Sequence, residues 1–225
     1  MSKGLFFKAL FFYMNIIHRG LVSIRSKENC LKSFKLSFKK NYGVETDIHF
    51  TKDNQIICYH DYTLNRLFNI NKSIKNLTFD NIKKITKSEI SVPSLKELLN
   101  LSKKKNMVFV EIKPLLSKKA INILINETKK FKNCILISFK HINLFRIRKI
   151  NKKIKIGLSF SKESKVSEII KISSNKVFDY LILDKFFIGK KTIENLKKIK
   201  FFYTIKKKSE FVKYNKKYNL IIEKL

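Results

Sequence analysis

Glu45 and Asp47 lie two residues apart in the strand-like run "GVETDIHF" (43–50), so an extended chain carries both carboxylates on one face. A tight turn follows, and "QIICYH" (55–60) brings the chain back to a histidine, His60. Two other strand-like runs end in similar anomalies. "NIIHRG" closes on His18, Arg19 and Gly20, and "VFVEIKP" sets Glu111 and Lys113 on one face of an otherwise apolar segment. If these ends converge, Glu45, Asp47 and Glu111 would repel one another and be driven to take up protons unless a cation neutralises them. A purely oxygen donor set, with no cysteine or paired-histidine pattern, favours a hard divalent cation, Mg²⁺ or Ca²⁺, over zinc. Arg19 and Lys113 would then admit an anionic substrate. His18 and His60 suit general acid and general base roles, because imidazole titrates near neutral pH. Together these groups fit phosphoryl transfer. His49 and His141 read as structural histidines, although His49 shares the face of the two acids.

Such a site needs elements that bring distant segments together. Nine strand candidates occur, at 13–18, 43–50, 55–60, 107–113, 134–139, 155–160, 179–184, 201–205 and 219–225. Between most of them lie amphipathic patterns. From 28 to 40, for example, Leu31, Phe34 and Phe38 share a face from which Lys32, Lys35 and Lys39 point away. Further helices are expected at 94–104, 118–131, 142–150, 164–173, 191–198 and 209–218. Strict alternation of this kind indicates a parallel sheet with crossover helices. The link "TKDN" (51–54) is far too short for a crossover, so 43–50 and 55–60 must form a hairpin. Without the return arm eight strands remain in βα alternation, which predicts a (β/α)8 TIM barrel, with strand ends meeting at its C-terminal mouth. A four-residue hairpin loop would set His60 opposite Glu45, and a two-residue "DN" turn would set it opposite Asp47. The less regular, polar segment 61–93 reads as a small insertion over the mouth, and the whole of 1–225 as a single domain.

Composition narrows the class. With 225 residues and 44% hydrophobic content the chain can bury a sizeable core. Cys30, Cys58 and Cys134 have no metal-site spacing and read as buried thiols of a reducing compartment, which points to a cytoplasmic protein. The net charge of +33 resembles a nucleic-acid signature, but only five of the 50 basic residues are arginine, the residue whose planar fork reads phosphates in pairs. The lysines are spread along the chain and accompany Asn, Ile and Phe, all encoded by A/T-rich codons. Solvated helix faces are therefore the simpler reading, and nucleic acid is an unlikely partner. The positive field would still attract anionic substrates and peripheral contact with anionic membranes. Residues 1–12, within "MSKGLFFKALFFYMNII", are too short to span a bilayer and read as a short helix over one end of the domain. An interfacial helix dipping Phe6, Phe7, Phe11 and Phe12 into lipid is the alternative.

The motifs "HRG" (18–20), "EN" (28–29), "ETDIHFTKD" (45–53), "HDYTLNR" (60–66), "VPSLKELL" (92–99), "VEIKP" (110–114) and "SF" (138–139) resemble the glycerophosphodiester phosphodiesterase family. The resemblance is strong over 15–115 and thinner beyond. It implies a (β/α)8 barrel binding a divalent metal through Glu45, Asp47 and Glu111, with His18 and His60 as the acid–base pair. Arg19 and Lys113 match phosphate-contacting positions, and Glu28 and Asn29 match a supporting motif. The implied reaction releases sn-glycerol 3-phosphate and an alcohol from a small-molecule glycerophosphodiester; one route has a glycerol hydroxyl attacking phosphorus with His60 as base and His18 as acid, and the resemblance leaves open which histidine takes which role. The sequence departs from the family pattern at Lys27 and Cys30, around "EN". It departs again in "FYTIKK", with Tyr203 and Lys206 where tryptophan and asparagine are usual, and in a reduced closing motif, "LIIEKL". Two other functions fit less of the pattern: a lysophospholipase D or phospholipase-like barrel acting on membrane lipids, and a non-catalytic basic protein binding anionic membranes or nucleic acid.

Overall fold

A computed structural model describes residues 13–24, 26–86 and 91–223; the expected N-terminal helix at 1–12 lies outside the described residues. In chain order the elements are β1 (Asn15–His18), α1 (Leu31–Lys39), β2 (Gly43–Phe50), β3 (Ile56–Cys58), α2 (Asn65–Phe68), α3 (Phe79–Ile85) and α4 (Leu95–Leu101). They continue with β4 (Val108–Ile112), α5 (Lys118–Thr128), β5 (Cys134–Ser138), α6 (His141–Ile150), β6 (Lys155–Phe160) and α7 (Val166–Ser173). The last are β7 (Tyr180–Asp184), α8 (Lys191–Glu194), β8 (Ile199–Ile205), α9 (Lys208–Tyr214) and β9 (Asn219–Ile222). All nine expected strands form. Eight of them pair in parallel, and β1 closes the sheet by bonding to both β2 and β9, so the protein is a TIM barrel.

Strand alternation divides the apolar residues into two layers. Outward positions such as Val44, Val110, Leu136, Leu158, Leu181 and Leu220 pack beneath the helices. Inward positions Ile16, Phe109, Ile135, Tyr180, Phe201 and Ile221 form a separate cluster that fills the barrel. Phe109 and Phe201 meet edge to face at 4.8 Å between ring centroids, and Tyr180 leans on both at 6.1 Å. Gly43 sits on the same inward face of β2, against Ile16 and Met107. A Cβ on Gly43 would lie 2.8 Å from the Met107 carbonyl oxygen, so that position accepts only glycine without displacement.

Helix α1 shows how local chemistry sets the mouth. Its centre of burial is Ser33, Phe34 and Ser37, whereas Leu31 and Phe38 are half-buried, because the serine hydroxyls serve the loop from β1. Ser37 Oγ accepts from Leu21 N at 2.9 Å. Cys30 is the N-cap: its sulfur accepts from Ser33 N at 3.4 Å, and Ser33 Oγ accepts from Cys30 N at 3.3 Å, a reciprocal capping box with a thiol in the hydroxyl's place. Gly20, at φ +78°, passes so close to α1 that a Cβ there would sit 2.6 Å from Ser33 Oγ.

Two expectations change. The hairpin uses neither proposed register: Ile48 pairs with Cys58 and Phe50 with Ile56. Thr51 N donates to Gln55 O at 3.0 Å around a three-residue loop whose last member, Asn54, takes φ +61°. That is the type I turn plus left-handed residue that asparagine tolerates. Tyr59, not His60, therefore faces Asp47, donating its N–H to the Asp47 carbonyl at 2.9 Å. Segment 61–93, read as irregular and polar, instead buries Leu64, Ile74, Leu77, Ile82 and Val92 against Ile57 and Tyr59 of the hairpin's return arm.

The aromatic plug predicts one stability effect. Phe109→Ala should lower the unfolding free energy by about 3–5 kcal/mol, the range for emptying a buried phenylalanine site. Urea denaturation would show this as a lower midpoint, and an unchanged midpoint would refute the plug's role.

Candidate active site

The polar residues of the mouth are the next inward positions above that plug. Two residues beyond Ile16 comes His18; beyond Gly43 come Glu45 and Asp47; beyond Phe109 comes Glu111; beyond Ile221 comes Glu223. The strand ladders fix their heights: His18 pairs with Glu45, and Asp47 with Glu111. The result is a cavity of about 370 Å³ lined by His18, Arg19, Glu45, Asp47, Glu111 and Lys113, with Phe139 and Tyr203 on its far wall.

Glu45, Asp47 and Glu111 each offer an oxygen within 4.8 Å of the others. Glu45 is buried, and neither of its carboxylate oxygens receives a hydrogen bond. Burial, Asp47 and Glu111 push the Glu45 carboxyl well above its ordinary range, against the pull of Arg19 and Lys113. Burial and Asp47 likewise raise Glu111 to about 7. Donorless, crowded, buried carboxylates are costly unless protonated or matched by positive charge. The all-oxygen set fits a hard divalent ion, and the three acids are the residues that could hold it.

Cations crowd the rim. Arg19 Nε and Lys113 Nζ each approach Asp47 to 3.2 Å, one on each carboxylate oxygen. Arg19 Nη1 also donates to Glu28 Oε1 at 3.3 Å. Arg19 owes its direction to an unusual backbone: it sits at φ +58°, with its N–H on Glu45 O at 2.9 Å and its carbonyl accepting from Asn29 N at 2.8 Å. Asn29, buried and at φ +53°, accepts from the Thr46 hydroxyl at 2.7 Å, so the "EN" motif ties the β1 loop to β2.

The two histidines sit in different surroundings. His18 Nε2 lies 3.8 Å from Glu45 and Nδ1 lies 3.7 Å from Glu223, which also pairs with Lys206 at 3.2 Å. Burial first, then Arg19, His60, Lys206 and Lys113, lower His18 to about 3, so its imidazole is neutral. His60 leaves the hairpin just past its ladder. Its carbonyl accepts from His49 Nε2 at 3.1 Å, and its Nδ1 meets Asp61 Oδ1 at 2.6 Å. Arg66 clamps this edge, donating to Asp61 Oδ2 and to Glu28 Oε1, each at 2.6 Å. Desolvation opposes ionisation of Glu28 and Asp61, but their hydrogen bonds and the cations beside them win, and both carboxyls fall below the ordinary range.

His18, Arg19, Glu28, Asn29, Glu45, Asp47, His60, Glu111 and Lys113 thus all stand at one end of the barrel. His49 and His141 serve as braces, the latter through Nε2 to Ser159 O at 2.9 Å. The sequence reading gave no role to Asp61, Arg66 or Glu223. Asp61 and Arg66 lie inside the quoted "HDYTLNR", and Glu223 continues the inward alternation of β9. Cys30, Cys58 and Cys134 are buried and free. No helix among the described residues is long and apolar enough to cross a membrane.

Sequence comparison matches residues 18–222 to the Glycerophosphoryl diester phosphodiesterase family. A glycerophosphodiester phosphodiesterase of Caldanaerobacter subterraneus is 30% identical over 161 residues, which cover 64% of this chain and 65% of the relative, just under two thirds of its length. The structure superposes on that of a glycerophosphodiester phosphodiesterase from Thermotoga maritima with a TM-score of 0.79 at 22% identity, covering 94% of each chain. It also superposes on a phosphodiesterase of Oleispira antarctica, determined in complex with the product sn-glycerol-3-phosphate, with a TM-score of 0.79 at 20% identity, covering 95% of this chain and 93% of that one. At these identities the two structures attest the fold. The match across the barrel, from His18 to the end of β9, makes the chain a member of the glycerophosphoryl diester phosphodiesterase family.

Proposed function

We propose that this protein hydrolyses glycerophosphodiesters to sn-glycerol 3-phosphate and an alcohol, with a divalent cation held by Glu45, Asp47 and Glu111. The observation that carries the reading is the acid cluster, with Glu45 lacking any hydrogen-bond donor, beside Arg19, Lys113 and His18 in one cavity, and His60 at the same end of the barrel. A bound divalent ion would offset most of the charge of the three acids, leaving about one negative charge beside Arg19 and Lys113, and would polarise a phosphoryl oxygen. Arg19 and Lys113 would turn from Asp47 to the phosphate, and Glu28 would hold Arg19 in position.

Of the two orders of proton transfer that the resemblance leaves open, the surroundings of the histidines favour His18 as the first base and His60 as the first acid. His18 is neutral among cations and is equipped to take the proton of a glycerol hydroxyl as that oxygen bonds to phosphorus. His60, whose Nδ1 is bound by the Asp61 carboxylate, is equipped to carry a proton and give it to the departing alcohol oxygen as the P–O bond breaks. Water then opens the resulting cyclic ester with the two roles exchanged, and the net change is hydrolysis.

This assignment is tested by leaving-group dependence. His60→Ala should cost about 10²–10⁴-fold in kcat on glycerophosphocholine and far less on a nitrophenyl diester, whose phenolate needs no proton. His18→Ala should cripple both substrates. Equal losses of His60→Ala on the two substrates would refute His60 as the acid.

Metal dependence has a readout separate from turnover. Release of glycerol 3-phosphate should stop in EDTA and return with Mg²⁺ or Ca²⁺. Because the folded-state values of Glu45 and Glu111 are raised, these two groups bind more protons in the folded metal-free protein than in the unfolded chain, whereas the lowered His18 binds fewer. A divalent cation replaces the protons on the acids, so its stabilising effect should grow as pH rises from the ordinary carboxyl value of 4.5 to about 7. Thermal melts with and without EDTA should show a gap in midpoint that widens across that window. Identical melts with and without the ion would refute an ion site at these acids.

A further inference from the structure

Two of the chain's departures from the family pattern meet at the mouth. Lys206 lies within "FYTIKK" and Glu223 within "LIIEKL", and the fold sets Lys206 Nζ 3.2 Å from Glu223 Oε2. The backbone brings them together: β8 and β9 pair in parallel, and Glu223 N donates to Ile205 O at 2.8 Å, one residue before Lys206. Both side chains line the cavity of the acid cluster. A lone lysine here would add another cation to the site, and a lone glutamate another carboxylate. As neighbours they offset each other.

Strand β9 also pairs with β1. Ile16 stands beside Ile221 and Ile17 beside Ile222, so the next rung sets His18 beside Glu223. The oxygen that meets Lys206 lies 3.7 Å from His18 Nδ1, while His18 Nε2 points the other way, 3.8 Å from Glu45. The imidazole thus lies between two carboxylates, one at each ring nitrogen. They differ in what they serve. Glu45 belongs to the cluster read as the ion's ligands, whereas Glu223 stands outside that cluster and is anchored by Lys206.

A histidine that takes a proton needs one bare ring nitrogen, and the hydrogen bond made by the other nitrogen decides which it is. An ionised carboxylate only accepts, and Lys206 supplies its counter-charge, so the proton between Glu223 and the ring sits on Nδ1. Nε2 is left as the nitrogen that faces the acids.

We propose that Glu223 is a positioning residue for His18: it accepts from Nδ1–H, keeps Nε2 bare and aims it into the cavity, while Lys206 holds Glu223 in place. The proposal rests on the hydrolytic reading above, in which His18 is the first base. Nε2 takes the glycerol hydroxyl proton as that oxygen bonds to phosphorus, and returns it to the same oxygen when water opens the cyclic ester. Throughout, Nδ1–H stays on Glu223, which touches no reacting atom. Contacts of this kind shorten when the substrate complex forms.

The test has a spectroscopic arm and a kinetic arm. Proton–nitrogen correlation NMR of the full chain in excess Mg²⁺ or Ca²⁺ reports which ring nitrogen of each histidine carries the proton. The signals of His18 are those missing from His18→Ala. Wild type should show His18 protonated at Nδ1 and bare at Nε2, and Glu223→Ala should shift the proton to Nε2. On glycerophosphocholine, Glu223→Ala should lower kcat by about 10–100-fold, the usual cost of losing an orienting partner, with KM within about twofold of wild type. Glu223→Gln should recover most of that loss, because its carbonyl oxygen still accepts from Nδ1–H and from Lys206. Lys206→Met should show a smaller loss of kcat. In a His18→Ala background, Glu223→Ala should cost nothing further.

A His18 proton on Nε2 in the wild type, or a tautomer unchanged by Glu223→Ala, would overturn the proposal. So would a loss expressed in KM, equal losses in Glu223→Ala and Glu223→Gln, or losses that add to that of His18→Ala. A wild type that cleaves no glycerophosphodiester, yet shows the Nδ1 proton and loses it in Glu223→Ala, would uphold the Glu223–His18 contact and overturn the hydrolytic reading instead.

Discussion

Closure of the barrel around an aromatic plug is the constraint from which the site follows. Phe109, Tyr180 and Phe201 fill the lower interior, so side chains one inward step higher have no apolar volume left to enter. They stand on a dry floor beneath an open mouth. On that floor the closely paired strands β1, β2 and β4 place His18, Glu45, Asp47 and Glu111 side by side, whatever their charges prefer. The sheet's hydrogen bonds and its buried apolar area hold three acids where electrostatics alone would scatter them. Strain of this sort is common at functional sites and is sustained by the rest of the fold.

The second ring of interactions directs charge toward that floor. Arg19 is turned inward by a left-handed backbone step and anchored from both sides by Glu45 O and Asn29 N. Glu28 and Asp61 are joined through Arg66, which links the β1 loop to the segment after the hairpin. The small hydrophobic cluster around Tyr59 and Ile74 therefore does more than cover the sheet edge. It fixes the segment that carries His60, Asp61 and Arg66.

Much of this was legible before any coordinates, for physical reasons. Period-two alternation identifies inward residues once closure is assumed, so Glu45, Asp47, Glu111 and Lys113 could be grouped from spacing alone. The eight-strand count followed from a link too short for a crossover. The hairpin register escaped because loop length does not reveal which residue takes a left-handed conformation, and Asn54 takes it here. Segment 61–93 looked polar because its apolar residues are spread over short helices with no sustained period. Glu223 was passed over for a different reason, because it gains meaning only from a histidine that the fold brings to it, and Asp61 because adjacency in sequence does not reveal that its carboxylate turns back onto the His60 ring.

The packed floor has one more consequence, for traffic. A cylinder stoppered at one end is a blind alley, and everything that reaches the acid cluster enters and departs through the same doorway. On the proposed reaction, ion, water and diester would share that doorway, and a departing alcohol would have to clear the threshold before the next molecule came in. Whatever settles on the floor leaves by the way it came.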